Sequence, residues 1–300
     1  VNHVSNIYLN FKKQVTIYPS DNIVQIYPNL DMEFNGMTTN GKLGFFGDNQ
    51  LFNYNEYRVE FTEIDSFRYL LETPLEPEDS LKTIRSCKTV FQDFTGVLEI
   101  DKPHNKSGKK KSKQYPILKS EAHSRVYYDQ VRGGLYPKSD FYFDLDAFTL
   151  KSTLKLKTEK LEFSGHLFSQ SILPKIEETL VLNGKDELGF ERKAQTYPLY
   201  GDDDFSGALT LSNSGLTGSG KLQKEALLMS SDSIDFYPEY LYAQVNQAQT
   251  QVTNERIPQL NAKNLDLHWF ESDNWLELTN KDSKFNINSN TKLDGGIEYH

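Results

Sequence analysis

The residues best suited to binding a ligand form three short clusters, and the densest of these is a run of carboxylates. Asp202, Asp203 and Asp204 follow Gly201 directly. Neighbouring carboxylates can hold a hard cation such as calcium, which prefers oxygen ligands. Their spacing differs from the D-x-D-x-D-G pattern of a calcium-binding loop. The three aspartates are therefore a candidate metal site, and an exposed acidic turn is the alternative interpretation.

The second cluster is basic. Six lysines lie within residues 101–116, and five of them are concentrated between positions 106 and 113, namely Lys106, Lys109, Lys110, Lys111 and Lys113. Ammonium groups at this density could bind phosphate or an anionic polysaccharide, with Lys109, Lys110 and Lys111 at the centre of the run. A block of like charges is also typical of a solvated loop, so we predict that residues 101–116 form a Lys-rich mobile loop.

The third cluster is aromatic. Trp269, Phe270 and Trp275 lie close together in a chain that has 17 tyrosines but only two tryptophans. Such rings could form a stacking platform for sugars, which makes Trp269 and Trp275 candidate ligand-binding residues. Rings at every second position of a strand also fill hydrophobic cores, and the sequence alone leaves both interpretations open.

No motif identifies a catalytic centre. The six histidines never fall at the short spacings of metal ligands, and the G-x-S-x-G, H-E-x-x-H and P-loop patterns do not occur. Cys87 is the single cysteine, which excludes an internal disulfide and a multi-cysteine metal site. We therefore assign no catalytic residue and expect no cofactor. Whether the chain is an enzyme stays open at this point, and a non-enzymatic role is favoured.

The elements that position these clusters are predicted to be strands. Between Phe205 and Leu211 every second residue is apolar or glycine, and a second alternating run begins at Leu216. A period of two predicts half-buried strands. Residues 212–215 between the two runs are Ser, Asn, Ser and Gly, which favour a turn. Because strand and turn patterns alternate in this way along the chain, we predict an all-β protein.

The composition agrees with thin sheets. Only 37% of the 300 residues are hydrophobic while 13% are aromatic, which suits strands that keep one face solvated. The net charge of −9 argues against nucleic acid as a partner. No run approaches the roughly 20 apolar residues of a membrane-spanning helix. Because the sequence begins at Val1 rather than at methionine, we expect a mature product or an excised segment.

Two short motifs recur. Tyr-Pro occurs six times, and four of the five Phe-x-Gly matches are widely spaced along the chain, at Phe34–Gly36, Phe94–Gly96, Phe163–Gly165 and Phe205–Gly207. The intervals are too uneven for a strict repeat. They favour an elongated stack of amphipathic sheet modules, similar to a β-solenoid or β-groove, with a β-sandwich as the alternative. The predicted organisation is an N-terminal β-region (1–100), the Lys-rich loop (101–116) and a C-terminal β-repeat region (117–300) that could be continuous with the first.

Several segments in a fixed order resemble one family, the very large uncharacterised cell-envelope β-repeat proteins of the Bacteroidota. The similar segments are Asn105–Gly108, Tyr115–Ile117, Val126–Asp129, Phe141–Asp144 with Phe148, Ile172–Pro174, Glu178–Leu180, Leu188–Phe190, Pro198–Gly201, and Leu211–Asn213 continuing to Gly220. The resemblance covers roughly residues 20–300 and departs at Ala147, where the family pattern has proline. The alternation of strands and glycines is also similar to the β-groove proteins of the AsmA and TamB type.

The resemblance implies export to the cell envelope, either the periplasm or the cell surface, and a repetitive β architecture. It implies no activity and no catalytic residues. From it we expect a non-enzymatic structural or interaction segment of a large envelope or surface protein. Its partners would be other segments of a larger chain or envelope components, with lipid and polysaccharide as candidates. The alternatives are a lipid-conducting β-groove and a carbohydrate-binding or carbohydrate-active β-protein.

Overall fold

The computed structural model describes residues 5–74, 82–157, 161–183, 186–251, 258–271, 273, 275–280, 285–287, 291–293 and 295–299. Within these residues the regular structure consists of β-strands and three short 3-10 turns (Pro103–Asn105, Val131–Gly133 and Thr153–Lys155). The prediction of an all-β protein is confirmed. In the same part of the chain, none of the helical turns has the length and apolar character that crossing a membrane requires.

The strands are numbered in chain order. The first twelve are β1 (Ile7–Asn10), β2 (Val15–Pro19), β3 (Gln25–Ile26), β4 (Met32–Asn40), β5 (Leu43–Asn53), β6 (Arg58–Ile64), β7 (Ser66–Pro74), β8 (Lys82–Ser86), β9 (Phe91–Gln92), β10 (Phe94–Glu99), β11 (Ile117–Ser120) and β12 (Arg125–Tyr127). The others are β13 (Phe141–Leu145), β14 (Thr149–Lys151), β15 (Glu162–Ser169), β16 (Ile176–Leu182), β17 (Leu188–Leu199), β18 (Asp203–Ser212), β19 (Gly215–Lys224), β20 (Leu227–Phe236), β21 (Tyr240–Thr250), β22 (Leu260–Phe270), β23 (Trp275–Asn280), β24 (Phe285–Ile287), β25 (Thr291–Leu293) and β26 (Gly296–Tyr299).

The chain forms two compact units that are interleaved along the sequence. The first comprises Val1–Tyr127, Phe143–His166 and Glu177–Leu188, and the second comprises Tyr128–Tyr142, Leu167–Ile176 and Gly189–His300. Each unit therefore contains segments that are distant in sequence, so its core depends on long-range pairing rather than on neighbouring residues.

The first unit is organised around strand β5, which changes partners along its length. Its first half, Leu43–Phe46, pairs with β7, whereas its second half, Leu51–Asn53, pairs with β6. From these two partners the strand order continues along two branches. One branch runs from β6 through β10 and β11 to β14, and the other runs from β7 through β9 to β12.

Phenylalanine rings fill the space between the two branches. Phe45 of β5 stacks on Phe61 of β6 with 4.5 Å between ring centroids and on Phe67 of β7 with 4.9 Å. Phe94 of β10 contacts all three rings at 5.3–5.9 Å. None of the four side chains is more than 1% exposed. Burying an aromatic ring of this size stabilises a fold by about 1.5–3 kcal/mol, so this cluster holds the two branches together.

The second unit contains a meander in which β17 to β23 pair in sequence order, and β26 pairs with the far side of β23. One row of side chains crosses six of these strands in register. It consists of Leu211, Leu216, Phe236, Leu241, Trp269 and Leu276. Each of these residues is at most 1% exposed. We call this set the core row, and it defines the buried face of the sheet.

Four Phe-x-Gly motifs, those that end at Gly36, Gly96, Gly165 and Gly207, share one structural reason. At each glycine a neighbouring backbone approaches so closely that a Cβ would lie only 2.2–2.3 Å from a carbonyl oxygen. At Gly96 and Gly207 the ring of the phenylalanine two positions earlier also lies against the glycine, 3.1 and 2.6 Å from where a Cβ would be. The motif thus places a phenylalanine ring in the core and a glycine next to it. Because glycine has no Cβ, it leaves room for the approach of the adjacent backbone.

This explanation predicts that Gly96→Ala lowers the free energy of unfolding by about 1–3 kcal/mol, because the new methyl group overlaps the carbonyl oxygen of Lys119. Gly44→Ala is the matched control, since Gly44 lies in a strand of the same unit and its Cβ would meet nothing within 4 Å. Urea unfolding of both variants and of the wild type checks the prediction. Equal stabilities for the two variants would contradict it.

Candidate functional site

Strands β21, β22 and β23 present partly exposed rings on the face opposite the core row. In register, Tyr240 of β21 lies opposite Phe270 of β22, which lies opposite Trp275 of β23. One step along the sheet, Tyr242 lies opposite His268. All five side chains are partly exposed. We call Tyr240, Tyr242, His268, Phe270 and Trp275 the aromatic face.

The rings of the aromatic face contact each other across the strands. Phe270 and Trp275 are stacked with 4.9 Å between centroids and 13° between planes. Tyr242 contacts His268 at 5.0 Å, and Tyr240 contacts Phe270 at 6.2 Å. Aromatic pairs at these separations add about 0.5–1.5 kcal/mol beyond their buried area, so the surface is ordered before any ligand binds.

Polar groups border these rings. The Tyr242 hydroxyl donates a hydrogen bond to Oδ1 of Asp266 at 3.0 Å, and Glu277 lies opposite His268 in register. Among the described residues, the indole Nε1 of Trp275 has no hydrogen-bond partner. Burial raises the pKa of the Tyr240 hydroxyl, so this group is a neutral donor at physiological pH. The site therefore combines flat apolar rings with several hydrogen-bonding groups.

Arg132, which lies in the same unit, supports one end of the aromatic face through Asp235 and Tyr237. The Arg132 guanidinium donates two hydrogen bonds of 2.9 Å to the carboxylate of Asp235 and a further one to the Tyr237 hydroxyl. The Tyr237 ring stacks on Tyr240 with 4.7 Å between centroids. The bidentate pair with Asp235 raises the pKa of Arg132. The guanidinium therefore stays charged at any physiological pH, and its hydrogen bonds to Asp235 and Tyr237 persist.

The two tryptophans predicted to act together lie on opposite faces of the sheet. Trp269 belongs to the core row and is 0% exposed. It lies under the ammonium group of Lys224, with Nζ 4.7 Å from the ring centroid, and contacts the edge of the Tyr200 ring at 6.1 Å. Trp269 therefore has no surface to offer a ligand in this structure, while Trp275 is part of the aromatic face.

The structure does not bring the three predicted metal-ligating aspartates together. Asp202 and Asp204 are exposed, whereas the side chain of Asp203 is 13% exposed and lies 3.3 Å from Lys224 Nζ. Successive residues of a strand point to opposite faces, which separates Asp203 from Asp204. Across the described ranges, no group of three His, Cys, Asp or Glu residues is arranged to hold a metal ion.

The Lys-rich loop presents its predicted ligand-binding side chains to solvent. Lys109, Lys110 and Lys111 are exposed. The loop backbone is nevertheless held from within, because the buried side chain of Asn105 donates to the Lys110 carbonyl at 2.8 Å and accepts from the Lys110 amide at 2.9 Å. The mobility of residues 101–116 stays a prediction.

Sequence reasoning missed Tyr240, Tyr242 and His268 as parts of the site. Each lies at an outward position of an alternating strand, between buried residues such as Leu241 and Leu267. The sequence alone shows that these positions alternate with the apolar residues of their strands. What brings them next to Trp275 is the register of β21, β22 and β23, which no local pattern specifies.

Comparisons with known proteins provide no relative: the chain matches no protein-family model, no curated protein and no solved structure.

The buried ion pair between Lys224 and Asp203, above the Trp269 ring, has a testable pH dependence. Burial raises the pKa of Asp203, and the charge of Lys224 opposes that rise. Lys224→Met leaves the carboxylate buried without its partner, so we expect the free energy of unfolding to fall by about 3 kcal/mol at pH 7. The raised pKa means that the folded state binds this proton more tightly than the unfolded state. The variant should therefore regain stability as the pH falls toward that pKa.

Urea unfolding followed by tryptophan fluorescence at pH 7 and near pH 5 measures this recovery. The double variant Asp203→Asn/Lys224→Met is the control, because it removes both charges and should lose less stability at pH 7 than Lys224→Met alone. A single variant whose deficit is the same at both pH values would refute the interpretation.

Proposed function

We propose that this chain is a non-enzymatic structural and interaction segment of a large bacterial cell-envelope or surface protein, and that the aromatic face is its contact surface. The observation that supports this proposal is the difference between the two faces of β21 to β23. On one face, Leu241, Trp269 and Leu276 of the core row are buried. The rings on the other face therefore remain available to a partner from outside the sheet.

The chemistry of the aromatic face favours a carbohydrate partner. Pyranose rings present flat arrays of C–H groups that pack on aromatic rings, and their hydroxyls need donors and acceptors at the rim of the site. Phe270 and Trp275 supply the rings, while Asp266, Glu277 and the Tyr242 hydroxyl supply the polar rim. Envelope polysaccharide is thus the ligand class that fits this surface and the envelope location implied by the resemblance.

The polar clusters of the described structure support a role without catalysis. The carboxylate of Asp203 is neutralised by Lys224, and that of Asp235 is neutralised by Arg132. Both pairs join elements of the fold. Holding elements of the fold together is a structural use of these two carboxylates.

For the aromatic face we expect Trp275→Ala to weaken polysaccharide binding about tenfold, because one stacking ring is lost. A glycan array identifies the tightest ligand, and titration of that ligand measures the change. Phe46→Ala is the matched control, since it removes a ring that is 49% exposed on the first unit and should leave glycan affinity unchanged. Wild-type protein that binds no glycan on the array would remove the carbohydrate assignment.

A second candidate function is lipid binding, and a groove on the first unit favours it. The groove has a volume of ≈ 460 Å³ and lies on the outer side of β4, β5 and β7. Met37 and Phe46, which are register neighbours, line it together with Leu70 and Arg68. Phe46 and Leu70 are 49% and 36% exposed. An acyl chain would cover these apolar side chains, and the Arg68 guanidinium could pair with its carboxylate.

If this groove binds lipid, Phe46→Ser should weaken the binding of a fluorescent fatty acid about tenfold, because apolar contact area is lost. The aromatic-face variant Trp275→Ala provides the reciprocal control and should bind the fatty acid as the wild type does. The lipid function is rejected if delipidated wild-type protein binds no probe, or if both variants lose the same affinity.

A further inference from the structure

The Lys-rich loop packs beside the turn between β1 and β2, about 100 residues earlier in the chain. Lys13 of that turn donates hydrogen bonds to the carbonyl oxygens of Ser112 and Tyr115 at 3.2 and 3.0 Å. Its Nζ also lies 3.5 Å from the buried carboxylate of Asp101. Lys12 Cδ lies within 3.9 Å of where a Cβ on Gly108 would be. The turn and the loop therefore form one continuous surface of the first unit.

Hydrogen bonds fix the inner side of this surface. The Asn105 side chain, only 2% exposed, donates to Asp101 Oδ2 at 3.1 Å and to Ser112 Oγ at 3.3 Å. Ser152 donates from Oγ to the Lys113 carbonyl at 2.7 Å. Because polar groups of the loop backbone are bonded inward, the lysine side chains extend outward.

The charge of this surface is opposite to that of the rest of the protein. Residues 10–14 and 102–116 contain eight lysines and no aspartate or glutamate, whereas the whole chain has a net charge of −9. The remainder of the chain thus has a net charge of −17. Lys12, Lys109, Lys110, Lys111 and Lys113 are all exposed, and the structure shows no ion pair for them within the described residues.

Large apolar side chains protrude beside these lysines. Phe11 is 80% exposed, the highest value among the exposed large hydrophobic residues of the described structure, and Tyr8 is 59% exposed. Their ring centroids are 6.0 Å apart. Phe11 begins the turn, and its carbonyl accepts a hydrogen bond from the amide of Gln14 at 3.1 Å. A folded protein gains nothing from an exposed phenyl ring in water, so this ring suits an apolar environment outside the molecule.

We propose that Phe11, Tyr8 and the five exposed lysines form a basic tip that docks on the surface of an anionic lipid bilayer. The ammonium groups would lie among the lipid phosphates, and the two rings would enter the boundary between headgroups and acyl chains. Charge complementarity selects an anionic surface. The two exposed rings favour a bilayer over a polysaccharide, because their planes are 63° apart and form no flat surface for a sugar to stack on, unlike the stacked rings of Phe270 and Trp275. This site is independent of the aromatic face.

Vesicle co-sedimentation of the full chain tests the proposal, with phosphatidylcholine vesicles that contain about 30% phosphatidylglycerol. We expect binding to these vesicles, little binding to pure phosphatidylcholine, and release as the salt concentration is raised from about 0.1 M to about 0.5 M. The triple variant Lys109→Gln/Lys110→Gln/Lys111→Gln should bind about 100-fold more weakly, since each lysine near a surface contributes about one tenfold step or slightly less. Phe11→Ala should bind about tenfold more weakly.

Matched control variants remove the same kinds of side chain elsewhere on the protein. They test whether the position of the lysines and the ring matters, and not only the loss of charge or of apolar area. Lys88→Gln/Lys193→Gln/Lys221→Gln removes three exposed lysines elsewhere, and Leu135→Ala removes a 38% exposed apolar side chain elsewhere. Both should bind vesicles as the wild type does. Equal losses in the control and tip variants would overturn the proposal, because the effect would then follow net charge alone. Binding to dextran sulfate without binding to the anionic vesicles would also overturn it and would assign the tip to soluble polyanions.

Discussion

The structure depends on one constraint, the register that aligns apolar side chains across many antiparallel strands. In the second unit, a single row of six buried residues runs from Leu211 to Leu276. A slip of one residue at any pair would turn every apolar side chain of the slipped strand toward water. The same alternation that buries this row places the intervening residues on the opposite face. The hydrophobic core and the outer surfaces are thus two consequences of one register.

Ion pairs add to this register. Lys224 and Asp203 join β19 to β18 above the Trp269 ring. Arg132 and Asp235 attach the segment Tyr128–Tyr142 to β20. The side chains of Lys224 and Asp203 are only 5% and 13% exposed. A charge that is buried without its partner costs several kcal/mol, about 3–5 in measured cases, so this pair disfavours alternative strand alignments. The Arg132 side chain is 39% exposed, so its pair with Asp235 contributes less.

Three surfaces remain after the folding requirements are met. We propose a sugar ligand for the aromatic face, an acyl chain for the groove beside Phe46 and an anionic bilayer for the basic tip. These ligand classes are all components of a bacterial envelope, which agrees with the location that the resemblance implies. The surfaces are chemically distinct and share no side chain. A segment of this kind would organise envelope components by contact, which requires no reacting atoms.

The sequence by itself determined the strands. Side chains of a strand point alternately to its two faces, so apolar and polar residues alternate along the chain, and this pattern can be recognised from neighbouring residues. The sequence also indicated a solvated loop around Lys109–Lys111, whose side chains are exposed. Only the tertiary structure decided which strands meet. Trp269 and Trp275 are six residues apart and would share a face in one strand, but the turn between β22 and β23 pairs Trp275 with Phe270 and so places it outside. The turn that carries Phe11 likewise meets the Lys-rich loop through Lys13, which donates a hydrogen bond to the Ser112 carbonyl, 99 residues away in sequence. Such pairings depend on the free energy of the whole core, which no local pattern contains.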